Sequence, residues 1–313
     1  MTAALDEIAV LGPGGVGGLL AALLWRAGHA VTCVGKDAAA ALIAREGLWL
    51  ESAAFGSIHA HLRAASVLDR QVQLLIVATK ATTLRIALRR VPAERVQGAL
   101  ILPLLNGIEH MDVLRASFGR RVIAASIGGV EAMKRADNRI AHTTPGAKIE
   151  LASDRDVPPE QLAAVARLLT AAGIAVEVKQ READVLWGKL VRLNALACTT
   201  AASGLTMGGV RSDPAWRAQL EGCVREGAAV AAAEGVPMDP DAILAQISAF
   251  PAGITTSMHR DVAAGRPSEL DAIAGAVVRA GARHRIGCPV IQGLMATIAQ
   301  RSGEGRAAQA VAG

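Results

Sequence analysis

The chain has 313 residues, enough for one large domain or two ordinary ones. Its 52% apolar content supplies a sizeable core, made mostly of Ala, Val, Leu and Ile because there is no Tyr and only three Phe. A formal charge of +5, with basic residues scattered or in short pairs such as Arg89-Arg90 and Arg120-Arg121, argues against a nucleic-acid surface, and no stretch approaches the roughly 20 apolar residues of a membrane span.

In chain order, residues 7–12 (EIAVLG) read as a buried strand. Residues 15–28 read as an apolar helix that stops at Gly28, and 30–35 (AVTCVG) as a second strand. QLLIVATK (73–80) and ALILPLLNG (99–107) are further strands. Strands alternating with helices imply βαβ units and a parallel sheet. Three short apolar pieces between 121 and 152 (VIAASIGGV, RIAHTT and KIELAS) are expected to extend that sheet. After IAVEV (174–178) the pattern becomes helical: 181–203, 212–235, 240–250, 268–285 and 289–303. Asp213-Pro214 and Asp239-Pro240 look like helix starts with Pro in the first turn. The fold class is therefore α/β, with a Rossmann-type parallel-sheet domain over 1–179 and an all-helical domain over 180–313. Ala/Gly-rich faces at 222–235 and 272–282 suit close helix packing, within the domain or in a homodimer.

Gly12-Pro13-Gly14-Gly15-Val16-Gly17 fits G-x-G-x-x-G between a strand and a helix. The first glycine permits the tight turn, the second lets a pyrophosphate approach the backbone, and the third allows the helix to pack on the strand. The helix N-terminus favours the negative charge. A dinucleotide cradle formed by Gly12, Gly14, Gly15, Val16 and Gly17 is expected, with a structural turn as the alternative. The second strand ends Val34-Gly35-Lys36, where NAD sites usually carry an acid. Lys36, with Lys80 at the end of the third strand, suits the 2′-phosphate of NADPH. Asp37 is the competing, NAD-type acid.

The four cysteines, Cys33, Cys198, Cys223 and Cys288, form no CxxC and read as buried apolar residues of a reducing cytosol. With no signal peptide visible, a cytoplasmic location is expected. The seven histidines show no metal-binding spacing, so no metal is expected.

Five pieces in order, GPGGVGG, VATKA (77–81), LLNGIEH (104–110), LWGKL (186–190) and TSMHRDVAAGRPSELDAIAG (256–275), make the chain resemble the ketopantoate reductases over nearly its whole length. The last piece is the most specific. The resemblance implies a 6-phosphogluconate-dehydrogenase-like pairing of a Rossmann domain with a helical domain. It also implies NADPH-dependent reduction of 2-dehydropantoate to (R)-pantoate in pantothenate biosynthesis.

A ketone that receives a hydride needs a proton donor or fixed positive charge at its oxygen. Lys189, in an apolar helix beside Trp187 and Leu190, is a candidate; on residues alone a snorkelling helix lysine is equally open. The resemblance makes Lys189 the catalytic acid. Glu269, otherwise a first-turn helix acid behind a Ser268 cap, becomes the partner that holds substrate and lysine. Ser257 is implied as a contact to the substrate carboxylate. Asn106, otherwise a turn residue before Gly107, is implied near the nicotinamide ribose and the substrate. Members of the family also carry asparagines four and eight residues after the lysine, where this chain has Leu193 and Ala197. Asn194 is one position further on, rotated by about 100° around the helix, and is the remaining candidate substrate contact there. These departures leave open another 2-keto acid or related carbonyl as substrate, or a catalytically silent sensor of NADP(H).

Overall fold

The computed structural model describes residues 5–154 and 157–302. Two compact units account for the chain. Among the described residues, one contains those up to Leu105 together with those from Glu109 to Leu186; the other contains Asn106–Ile108 and those from Trp187 to Ser302.

The first unit begins with β1 (Glu7–Leu11), α1 (Gly15–Arg26), β2 (Ala30–Val34), α2 (Asp37–Glu46), β3 (Leu48–Ser52), β4 (Gly56–Ala60), β5 (Arg63–Ala65) and β6 (Leu74–Val77). It continues through α3 (Leu84–Leu88), β7 (Leu100–Pro103), α4 (His110–Phe118), β8 (Ala124–Gly128), β9 (Ala132–Ala136), β10 (Arg139–His142), β11 (Lys148–Ala152), α5 (Pro159–Ala171) and β12 (Ala175–Val178). The central sheet is parallel throughout, in the order β5-β2-β1-β6-β7. Its middle strands are continuous apolar runs because both faces are covered; all four residues of β6 are buried. Along α1, Leu19, Leu20, Leu23 and Leu24 are fully buried, so this helix is core on nearly every side. The strand order reverses between β1 and β6, and ligands of open α/β sheets bind at the carboxyl ends of strands flanking such a point.

The apolar pieces between 121 and 152 do not extend the central sheet. They enter two others, ordered β4-β3-β10-β9 and β12-β11-β8, and only a single parallel bridge, Ile101 to Val122, links that stretch to β7. β8 runs antiparallel to β11, and β10 is parallel to β3 and antiparallel to β9. The hairpin β3–β4 has the alternation of a half-buried strand pair, with Leu48, Leu50, Ile58 and Ala60 inward and Gly56 at φ +74° where β4 begins.

A 22-residue helix, α6 (Glu182–Ser203), follows. Sequence composition puts the domain boundary at 179; the two units divide at Leu186/Trp187, inside α6. The first turn of α6 is tied to the first unit. The Glu182 amide donates to Asp154 Oδ1 at 2.8 Å, and its carboxylate meets Arg115 at 2.5 Å.

The second unit holds the rest of α6 with α7 (Met207–Ser212), α8 (Pro214–Ala233), α9 (Pro240–Ser248), α10 (Ser257–Ala263), α11 (Ala276–Arg283) and α12 (Pro289–Ser302). Asp213 caps α8, accepting from the amides of Ala215 and Trp216, and Asp239 caps α9, with Pro first in each helix. The small residues serve packing within this unit. A Cβ at Gly222 would lie 2.9 Å from Val290, and one at Gly227 3.2 Å from Val191, so α8 approaches α12 and α6 closely.

Candidate active site

The glycine loop lies at the carboxyl end of β1. Gly12 has φ +88°, and a Cβ there would meet the Thr79 methyl at 2.8 Å. A Cβ at Gly17 would come within 2.2 Å of the Gly12 carbonyl oxygen, and one at Gly15 within 2.0 Å of the Ala132 oxygen. At Gly14 a Cβ would meet open space, so the missing side chain there serves no internal packing. Helix α1 starts with no side-chain cap and no acid in its first turn, which leaves its first N–H groups for an external anion. Val16 contributes only its backbone; its side chain packs on the core. Beside the loop, just past β6, the Thr79 hydroxyl is buried without a hydrogen-bond partner. A dinucleotide fits this donor set: open backbone at Gly14, amides without a cap, and an orphaned hydroxyl.

Lys36 is exposed and immediately precedes α2. Asp37 is engaged elsewhere: Arg90 donates to its carboxylate at 3.0 Å and to the Ser66 carbonyl at 2.8 Å. Gly35 sits against the Pro13 ring, 3.2 Å from a would-be Cβ. Lys80 is exposed, and its carbonyl accepts from the Thr83 amide at 3.0 Å.

The second unit gathers the polar candidates. Asn106 donates through Nδ2 to Glu269 Oε2 at 2.9 Å, although 163 positions separate them. Gly107 makes this approach possible. Its φ is +82°, and a Cβ would stand 2.2 Å from the Ala272 carbonyl oxygen, so only glycine lets segment 106–108 lie against the chain after Glu269. That chain is a π-helical turn, Asp271–Gly275, a feature that recurs at functional sites. Ser268 is a weak cap there, with its hydroxyl 3.4 Å from the Leu270 amide. Glu269 is 7% exposed.

Lys189 is half-buried on α6. Desolvation pushes its ammonium down from 10.5 to about 8; the Arg192 charge adds to this, and the Glu269 carboxylate opposes it. A lysine so tuned can hold a proton at neutral pH and release it readily. Ser257 is exposed as the first residue of α10, behind the Thr256 cap, whose hydroxyl accepts from the His259 amide at 3.1 Å and lies 3.2 Å from that of Thr200.

Asn194 is a correction. It is fully buried; its amide nitrogen donates to Cys223 Sγ at 3.3 Å, and its carbonyl oxygen accepts from Cys198 at 3.2 Å. The one-position rotation from the Lys189 face turns it into the core among thiols, so it is removed from the substrate contacts. Thr79 and the Arg90–Asp37 pair escape sequence reasoning. Thr79 lies within VATKA, but the burial of its hydroxyl and an ion pair 53 positions apart cannot be read locally.

The family model for ketopantoate reductase PanE/ApbA matches residues 8–154, and that for its C terminal matches residues 183–302. The 2-dehydropantoate 2-reductase of Caulobacter vibrioides is 30% identical over 295 residues, which is 91% of this chain and 95% of that one. Its counterpart in Mycobacterium tuberculosis is 30% identical over 304 residues, 94% and 97% of the two chains. Among solved structures, the PanE/ApbA family ketopantoate reductase of Ralstonia eutropha superposes with a TM-score of 0.85 at 27% identity, over 95% of this chain and 99% of that one. D-mandelate dehydrogenase in its ternary structure with NADH and anilino(oxo)acetate shares the fold, with a TM-score of 0.86 at 21% identity over the same shares. With the parallel sheet, the glycine cradle and a helical unit carrying a half-buried lysine, the chain belongs to the ketopantoate reductase family, oxidoreductases of the 2-dehydropantoate 2-reductase type that use NADPH.

Proposed function

We propose that this chain is an NADPH-dependent reductase of 2-keto acids, and that 2-dehydropantoate, reduced to (R)-pantoate, is its first substrate. The observation that carries the reading is Lys189, whose ammonium burial brings down to about 8 and which interacts with the Glu269 carboxylate. NADPH, when bound, supplies the hydride to the C2 carbonyl carbon. Gly12, Gly14, Gly15, Val16 and Gly17 would hold its pyrophosphate through backbone amides, and Lys36 and Lys80 would face its 2′-phosphate. The Asp37–Arg90 pair supports NADPH over NADH, because it draws one oxygen of that acid toward Arg90 and leaves Lys36 as the exposed charge at the end of the second strand.

In the chemical step Lys189 gives its proton to the ketone oxygen as negative charge builds there. Glu269 holds the resulting hydroxyl, and Asn106 fixes one oxygen of Glu269 so that the carboxylate has a defined direction. Asn106 also serves as the contact to the nicotinamide ribose and the substrate. Ser257 binds the substrate carboxylate. A silent sensor would have no use for a lysine held below its ordinary pKa.

A second reading, another 2-keto acid as substrate, is favoured by one feature. One and two turns beyond Lys189 the helix carries Leu193 and Ala197, which offer no hydrogen bond to a hydroxyl on the substrate side chain. The test is a panel of 2-keto acids with NADPH and NADH, followed by loss of the nicotinamide band. The expected result is NADPH oxidation with 2-dehydropantoate, and an NADPH preference of about tenfold or more in kcat/KM from the charged contact. Turnover confined to 2-keto acids with apolar side chains selects the second reading. No turnover across the panel refutes both.

A further inference from the structure

The cofactor cradle is crossed by a hairpin whose charges the proposed reaction does not use. Strand β9 starts against the first turn of α1, where the Ala132 carbonyl oxygen closes on Gly15. Its partner β10 seats Ile140 on Gly18, 2.6 Å from a would-be Cβ. Lys134 pairs with Ile140 and Ala132 with His142. Directly opposed residues of antiparallel strands project from the same face. Ile140 and His142 are both buried on the face that meets α1. Lys134 therefore leaves β9 on the side of the cradle helix, and its length carries the ammonium to the strand's margin, where it is 38% exposed.

There it meets one anion. Lys134 forms an ion pair with Asp137, in the turn between β9 and β10. The Asp137 carboxyl is held below its ordinary value, first by the Lys134 hydrogen bond and charge and additionally by Lys36. Lys36 immediately precedes α2 and follows Gly35, which sits against Pro13 of the same glycine loop. Lys36, Lys134 and Asp137 thus accompany the glycine loop and the strand that closes on it, and the neighbouring acid, Asp37, is paired with Arg90.

We infer that Lys134 is a further cofactor-selecting cation, which joins Lys36 and Lys80 at the 2′-phosphate of NADPH and gives up Asp137 when the phosphate arrives. The inference rests on the proposed dinucleotide site. A phosphate monoester offers three acceptor oxygens and close to two negative charges, so it outbids one carboxylate for two ammonium groups. NADH lacks the phosphate and leaves the Lys134–Asp137 pair intact.

Calorimetric titration of the full-length protein with NADPH, NADH and 2′,5′-ADP tests this without turnover. Lys134→Ala is expected to weaken NADPH and 2′,5′-ADP by about five- to tenfold, as one partly screened charged contact should. The NADH affinity stays unchanged. Asp137→Asn frees Lys134 and is expected to tighten NADPH and 2′,5′-ADP, with the gain shrinking as salt rises. Equal NADPH affinity of Lys134→Ala and the unmodified protein overturns the assignment, as does an equal loss for NADPH and NADH. If the unmodified protein binds neither dinucleotide, the proposed cofactor site itself falls, and this inference falls with it.

Discussion

Replacing Lys189 by methionine separates what the lysine costs the fold from what it does for the reaction. Its pKa falls from 10.5 in an exposed chain to about 8 in the folded protein. At about 1.36 kcal/mol per pH unit, the charged form is therefore disfavoured in the native state by roughly 3 kcal/mol. That figure already contains the attraction of Glu269, which is one of the causes of the pKa. The sign follows from proton counting. Between pH 8 and 10.5 the unfolded chain binds the proton and the folded one does not, so stability rises with pH across that window. Below pH 8 the whole penalty is present, and above 10.5 it is gone. Lys189→Met keeps most of the length of the side chain and removes the charge. In urea melts at pH 7 it should be more stable than the unmodified protein by about 1–3 kcal/mol, and the difference should close by pH 10.5. The same variant should lose about 10²–10⁴ in kcat while its affinity for NADPH is unchanged. A variant less stable at pH 7, with an unaltered pH profile of stability, would refute the claim that the fold strains this ammonium. Near-normal turnover would refute its role as proton donor.

Gly107→Ala forces a Cβ onto the Ala272 carbonyl at a backbone angle that alanine avoids. It should cost about 2–4 kcal/mol in denaturant melts and lower kcat by displacing Asn106 from Glu269. Unchanged stability would mean that segment 106–108 can retreat freely. Thr79→Val removes the buried, unpartnered hydroxyl. The ligand-free protein should gain about 1 kcal/mol in thermal melts while dinucleotide binding weakens, because the hydroxyl is unsatisfied until the cofactor arrives. A loss of stability with no change in binding would make Thr79 a purely structural residue.

The parallel sheet, the glycine cradle and most helices of the second unit are legible from the chain alone, because each rests on local chemistry. β1 and β6 are apolar runs that only a sheet covered on both faces buries, and Gly12, Gly14 and Gly17 stand at the spacing a strand-to-helix turn requires. Asp213 and Asp239 announce their helices because an N-cap and its following proline are neighbours in sequence. The pieces between 121 and 152 are legible as strands but not as members of particular sheets, since β propensity says nothing about the partner.

What tertiary structure alone decided is which side chains meet and which lose contact with water. Asn106 reaches Glu269 across 163 positions, and the approach depends on how closely Gly107 lies to the Ala272 carbonyl, a contact between two distant pieces of the chain. Asp37 is paired with Arg90 across 53 positions, and Asn194 is buried between two cysteine thiols. Lys189 is named by its place in LWGKL, but its readiness to give up a proton comes from desolvation, a property of everything packed around it rather than of its neighbours in the chain.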